Sequence, residues 1–93
     1  MSLRKTVVAG QFYSNEKEEL LKHFKIFNNS LKEQKSLEKP RAIISPHAGY
    51  VYSGFTANSV FCQLKDVKAK RVIVIGPSHR VYYEGASIAL FDE

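Results

Sequence analysis

With 93 residues, of which 44% are hydrophobic, 12% aromatic and 25% charged, the chain has the composition of one small globular domain. No apolar run approaches the ~20 residues of a membrane span, no signal-peptide pattern opens the sequence, and the single cysteine, Cys62, excludes an intrachain disulfide and points to a cytoplasmic location. The net charge of +5 does not announce a nucleic-acid partner: six Lys alternate with five Glu through residues 16–39, and the one basic cluster (Lys65, Lys68, Lys70 and Arg71, broken by Asp66) falls where a helix C-terminus and its following turn are expected, a position that favours cations.

Met1-Ser2-Leu3 fits no element and reads as a remnant of expression, with the natural chain starting near Arg4. Residues 6–13 read as an extended lead-in that ends in the aromatic pair Phe12-Tyr13. Ser14 or Asn15 can cap a helix, and Asn15 with Glu18 has the spacing of a capping box. Leu20, Leu21, Phe24, Phe27 and Leu31 then recur on one helical face, opposite Glu16, Lys17, Glu19, Lys22 and Lys25. This pattern predicts an amphipathic helix over 15–28. His23, among lysines, reads as a surface or flank residue. Residues 32–40 are polar and read as a surface connection within a single domain over 1–93.

Ala42-Ile43-Ile44 predicts a strand over 41–45, closed by Pro46, which cannot donate to a ladder. A loop holding Gly49 and Gly54 leads to a helix predicted over 54–65, with Ser53 as N-cap, Phe55, Ala57, Val60, Phe61 and Leu64 as its apolar face, and Cys62 as a buried core thiol. Val72-Ile73-Val74-Ile75, apolar at every position, predicts a strand over 71–75 covered on both faces. A loop with Tyr82, Tyr83 and Gly85 precedes a third strand near 86–91. Strand, helix and strand make a βαβ unit, so the fold class is α/β with strands 41–45 and 71–75 parallel and a right-handed crossover.

Two motifs carry the chemistry. His47, in Ser45-Pro46-His47-Ala48-Gly49-Tyr50, and His79, in Gly76-Pro77-Ser78-His79, each follow an apolar run. Parallel strands would bring both imidazoles to the carboxyl edge of the sheet, where open α/β folds place their ligands. Adjacent strands lie ~4.8 Å apart, so the two rings could meet on one cation. Two imidazoles suit Fe, Cu or Zn and need at least a third protein ligand. For either histidine alone, a loop residue bonded to backbone carbonyls is the better reading. For the matched pair, flanked by Pro and Gly, the functional reading is the better one. Tyr50 and Tyr52 can line the pocket or hydrogen-bond to the ligands. Ser78 beside His79 is not a nucleophile, because neighbouring residues at a strand end point apart and no Gly-x-Ser-x-Gly elbow is present.

Ala9-Gly10-Gln11-Phe12-Tyr13, then Pro46-His47-Ala48-Gly49-Tyr50-Val51-Tyr52-Ser53-Gly54, then Gly76-Pro77-Ser78-His79 resemble, in order, the signature of the Memo-like proteins, named for a mediator of cell motility. The resemblance covers nearly the whole chain. It implies an α/β fold similar to that of the class III extradiol dioxygenases (LigB-like), which use non-haem iron. It also implies that His47 and His79 match two metal-binding histidines, that Phe12 matches a pocket aromatic and that Tyr52 matches a tyrosine near the metal. Phe12, Tyr13, Tyr50, Tyr52 and Ser78 are accordingly the expected pocket residues. The family is linked to iron or copper binding, to redox chemistry and to phosphotyrosine peptides, and zinc is a further candidate in purified protein.

Family chains are roughly three times longer, so this one reads as the N-terminal part of a longer Memo-like domain. Their third ligand, typically a cysteine, comes from a later segment, and Cys62 does not match it. Glu84 or Asp92 could stand in as a carboxylate, but nothing in the family pattern supports either. The expectations are therefore a partial mononuclear Fe or Cu site of redox or dioxygenase-like activity, weak or absent in this chain alone, or else a non-catalytic pocket for a (phospho)peptide or small anion. The expected partner is a small molecule or peptide, with no nucleic acid and no membrane. Self-association into a homo-oligomer is expected because a partial sheet leaves unpaired edges and exposed apolar faces.

Overall fold

The computed structural model describes residues 2–31 and 38–92. Most of the expected connection over 32–40, together with Met1 and Glu93, lies outside the described residues. Two compact units form, one from residues 7–68 and the other from residues 2–6 with 69–92.

In the first unit the lead-in is not extended. It folds back on itself in a tight turn: Val8 O accepts the N–H groups of Gln11 and Phe12, both at 3.0 Å, and Gly10 N–H donates to Tyr13 O at 2.7 Å. The turn requires a positive φ at its third residue, and Gly10 supplies it at +84°. An isolated bridge between Ala9 and Tyr13 closes it.

Helix α1 spans Lys17–Asn29, close to the expected 15–28. The Asn15–Glu18 capping box does not form. Glu16 is the N-cap residue and makes no side-chain cap bond; Ser14 organises the entry instead, its Oγ accepting the Glu16 N–H at 3.0 Å and donating to Glu19 Oε2. The half-buried stripe is Leu20, His23, Phe27 and Leu31, whereas Leu21 faces solvent. His23, expected at the surface or flank, is half-buried. It shares the inward stripe because it lies one turn from Phe27, its ring 6.3 Å away, and its Nδ1 is buried with no hydrogen-bond partner among the described residues.

Helix α2 spans Tyr50–Phe61 and continues as a 3-10 turn over Cys62–Leu64. It starts four residues earlier than expected. The reason is a long-range backbone bond: the Tyr50 N–H, one of the four orphan donors of a helix start, finds the Phe12 carbonyl at 2.7 Å. Gly49 is the N-cap residue, and Ser53, inside the helix, donates its hydroxyl to Ala48 O at 3.2 Å. Gly54 is not a loop residue but the contact point of the two helices, and among the described residues it is the one that is buried. A Cβ built there would stand 2.8 Å from Phe27 Cζ, so the lack of a side chain is what allows the approach. Phe27 meets Phe55 edge-on at 6.4 Å.

Beyond the aromatics, Asn58 Nδ2 donates to Asn28 Oδ1 at 2.9 Å, and the Cys62 thiol donates to the same oxygen at 3.5 Å. Cys62 is half-buried and hydrogen-bonded, not the core thiol expected, because this part of α2 faces a polar end of α1.

In the second unit the segments 71–75 and 86–91 are non-helical and form no ladder among the described residues. Val72, Ile73, Val74 and Ile75 are 76–91% exposed. The segment 41–45 of the first unit is likewise unpaired, with Ile44 95% exposed. Ser2 and Asp92 pair through main-chain and side-chain bonds, Ser2 N–H to Asp92 Oδ2 at 2.8 Å and Asp92 N–H to Ser2 O at 3.0 Å. No apolar side chain among the described residues is fully buried. Two helices in contact cover only one face of each, and a closed core needs a second layer.

Candidate functional site

The turn of residues 8–13, the inner face of α1, the segment 45–48 and the first three turns of α2 enclose a hollow of about 560 Å³. Its wall is aromatic: Phe12, Tyr13, Phe24, Phe27, Tyr50 and Phe61 all line it. The Tyr13 and Tyr50 rings lie 5.5 Å apart, and Phe24 stands 6.2 Å from Tyr50. These are ordinary separations for offset or tilted aromatic pairs. His47 lies in the same wall, two residues ahead of the α2 N-cap. Among the described residues, those that line it include no Lys, Arg, Asp or Glu.

Of the residues the sequence singled out, Phe12, Tyr13, His47 and Tyr50 therefore share one hollow. Tyr52 does not. It is 87% exposed on α2, because two residues along a helix from Tyr50 turn it away from the face that Tyr50 occupies. His79 and Ser78 lie in the other unit, in a second hollow of about 530 Å³ formed by the loop from Gly76 to Gly85, together with Arg80. Ser78 is engaged locally, its Oγ donating to Val81 O at 2.5 Å and accepting the Val81 N–H at 3.4 Å. This is the turn bonding typical of serine.

Among the described residues no three His, Cys, Asp or Glu side chains gather as a metal-binding group. The wall residues not singled out as pocket residues include Phe24, Phe27, Asn58 and Phe61. Their helical spacing marked the three phenylalanines as core, and without knowing which layer covers a helix, core and pocket wall give the same periodic signal.

The sequence profile described as "Memo-like protein" matches residues 4–93. The chain belongs to the Memo-like family. This Memo-like chain is 42% identical over 79 residues to a MEMO1 family protein of Aquifex aeolicus, covering 85% of this chain and 28% of that one. It is 41% identical over 81 residues to a MEMO1 family protein of Schizosaccharomyces pombe, covering 87% and 25% respectively. With the Saccharomyces cerevisiae MEMO1 family protein MHO1, identity is 37% over 87 residues, covering 90% and 25%. The Memo-like chain thus spans about a quarter of the length of these relatives. No solved structure matches it. No helix among the described residues is long and apolar enough to cross a membrane.

Proposed function

We propose that this chain supplies part of a metal-dependent site of a Memo-like protein, with His47 and His79 as two imidazole ligands to one Fe or Cu ion and the aromatic hollow beside His47 as the seat of the substrate. The observation that carries the reading is His47 in the wall of a ring-lined hollow, next to Phe12, Tyr13 and Tyr50. Its support is membership of the Memo-like family and the position of both histidines within the family's motifs. The donor chemistry fits as a partial set: two neutral imidazoles suit Fe, Cu or Zn, and a competent site takes at least one further protein ligand, which the described residues do not gather. A bound ion would supply Lewis-acid or redox chemistry at its open positions.

The proposal includes an α/β architecture in which segments 41–45, 71–75 and 86–91 are strands, and a cytoplasmic setting.

Calorimetric titration with Fe(II) under anaerobic conditions, and with Cu(II) and Zn(II), tests the metal site. Weak binding by the wild type that is lost in the His47→Ala/His79→Ala variant supports the site. Equal binding by both proteins removes it.

A second reading, a non-catalytic pocket for a phosphopeptide or small anion, draws on the loop from Gly76 to Gly85, where His79 and Arg80 line one hollow and a guanidinium can hold a phosphate bidentately. A phosphotyrosine peptide that binds without metal, and that is released by Arg80→Gln, would favour it.

A further inference from the structure

We infer that Ser53 is a positioning residue for His47: its hydroxyl ties the backbone just beyond the histidine to the frame of α2 and so keeps the imidazole in the wall of the hollow. The inference rests on the reading of His47 as a ligand and adds the group that aims it.

A serine within or at the end of a helix ordinarily returns its hydroxyl to a carbonyl three or four residues back. Ser30 Oγ donates to Ile26 O at 2.9 Å and Ser59 Oγ to Thr56 O at 2.7 Å in this way. Ser53 reaches one residue further. Its Oγ donates to Ala48 O at 3.2 Å, and Ala48 precedes Gly49, the N-cap residue of α2. The first carbonyl to join a helical ladder is that of the N-cap, and Gly49 O accepts the N–H groups of Tyr52 and Ser53 at 2.9 and 3.1 Å. The Ala48 carbonyl stands ahead of that ladder, and the Ser53 side chain ties it back to the helix.

His47 sits between two serine bonds, and Ser45 and Ser53 both line the hollow beside it. On the near side Ser45 Oγ donates to Pro46 O at 3.0 Å, but that bond is local and moves with the segment. Peptide planes are rigid. The Pro46–His47 and Ala48–Gly49 planes therefore bracket the His47–Ala48 pair, and holding the second plane limits the φ and ψ open to His47. The frame to which Ser53 belongs is itself anchored. Tyr50 N–H meets the Phe12 carbonyl at 2.7 Å, and Gly54, the next residue, is the buried crossing point with α1. One net hydrogen bond favours the held arrangement about fivefold. A ligand that is in place only part of the time weakens binding by that fraction. Ser53 thus acts on the ion through His47.

The test uses the 93-residue chain with isotope-labelled histidine rings, first without metal and then with Zn(II), the His47 signals being assigned by His47→Ala. In metal-free Ser53→Ala the His47 ring signals are expected to shift toward those of the urea-unfolded chain, while those of His23 and His79 stay in place. Ser53→Thr, which restores a hydroxyl, should return them. Ser59→Ala, which removes the hydroxyl bonded to Thr56, should leave them unmoved. A merely structural role for Ser53 would lower the urea midpoint without singling out His47. Calorimetry should find Zn(II) binding about fivefold weaker in Ser53→Ala and unchanged in Ser59→Ala. If Ser53→Ala loses its helical circular dichroism, Ser53→Thr against Ser53→Val decides, since the two differ by a hydroxyl in place of a methyl group. His47 signals that stay unmoved in a folded Ser53→Ala, that coincide in Ser53→Thr and Ser53→Val, or that move as far in Ser59→Ala, overturn the inference. Its failure and that of the metal site are read separately. A His47 shift in Ser53→Ala, in a chain whose Zn(II) binding ignores the His47→Ala/His79→Ala change, leaves Ser53 as a positioning residue and removes the metal site. Zn(II) binding that needs both histidines and is as tight in Ser53→Ala keeps the site and overturns the role of Ser53.

Discussion

Substituting alanine for Gly54 tests how the two helices approach each other. The added Cβ would stand 2.8 Å from Phe27 Cζ, 3.0 Å from Phe27 Cε2 and 3.1 Å from Tyr50 Cβ. Carbon atoms rest at ~3.5–4.0 Å, so the Phe27 ring must retreat by about 0.7 Å or more, away from its edge-on contact with Phe55. Tyr50 Cβ is fixed to the backbone of α2 and cannot swing clear. Overpacking of this kind costs ~1–3 kcal/mol, while alanine gains ~1 kcal/mol over glycine in a helix interior. The expected balance is a loss of about 1 kcal/mol, read as a lower urea midpoint by far-ultraviolet circular dichroism. In a Phe27→Leu background the distal ring atoms are gone and the 3.1 Å approach to Tyr50 Cβ remains, so Gly54→Ala costs less than with Phe27 in place. A double-mutant cycle should return a coupling of about 1 kcal/mol or more. If Gly54→Ala raises the midpoint with Phe27 in place, close approach is not what this glycine is for.

Gly10→Ala puts a side chain at φ +84° and should cost ~1–2 kcal/mol; Gly76→Ala, at ordinary φ with nothing within 4 Å of its Cβ, should stay within ~0.5 kcal/mol, and equal midpoints for the two variants would contradict the turn geometry. Asn58→Ala removes the 2.9 Å bond to Asn28 and the donor to Cys62, so unfolding should register a loss of ~1 kcal/mol, whereas Cys62→Ser, which keeps a donor toward Asn28, should cost less; the reverse order would show that the thiol, not the amide, organises this corner. With Ile73, Val74 and Ile75 at 86–91% exposure, the chain should self-associate at micromolar concentration in sedimentation velocity, and a clean monomer would refute that.

The sequence was informative where structure depends on neighbours a few residues away. Leu20, Phe24 and Phe27 recur at helical spacing, and α1 follows within two residues at its start and one at its end. The start of α2 was hidden for the opposite reason. It depends on a carbonyl nearly forty residues earlier in the chain, and Gly49 and Gly54 look like loop residues until one is seen as a cap and the other as the floor of a helix crossing. Four of the candidate residues, Phe12, Tyr13, His47 and Tyr50, do share a hollow, because the motifs that carry them flank one turn and one helix start. Tyr52 fell outside because helical phase, not proximity in sequence, decides which side chains share a wall. The apolar runs at 41–45, 71–75 and 86–91 signal burial, but a strand is defined by its partners, and partners cannot be read from one segment alone.

The bond from Tyr50 N–H to the Phe12 carbonyl also separates two kinds of change. It joins main chain to main chain, so exchanging the Phe12 ring for another side chain leaves the tether intact. The side chains around the hollow can thus be retuned toward differently shaped guests while His47, three residues upstream of the tethered amide, keeps its footing. Proline at position 50 would do the opposite, leaving every ring but that of Tyr50 in the protein and releasing the histidine.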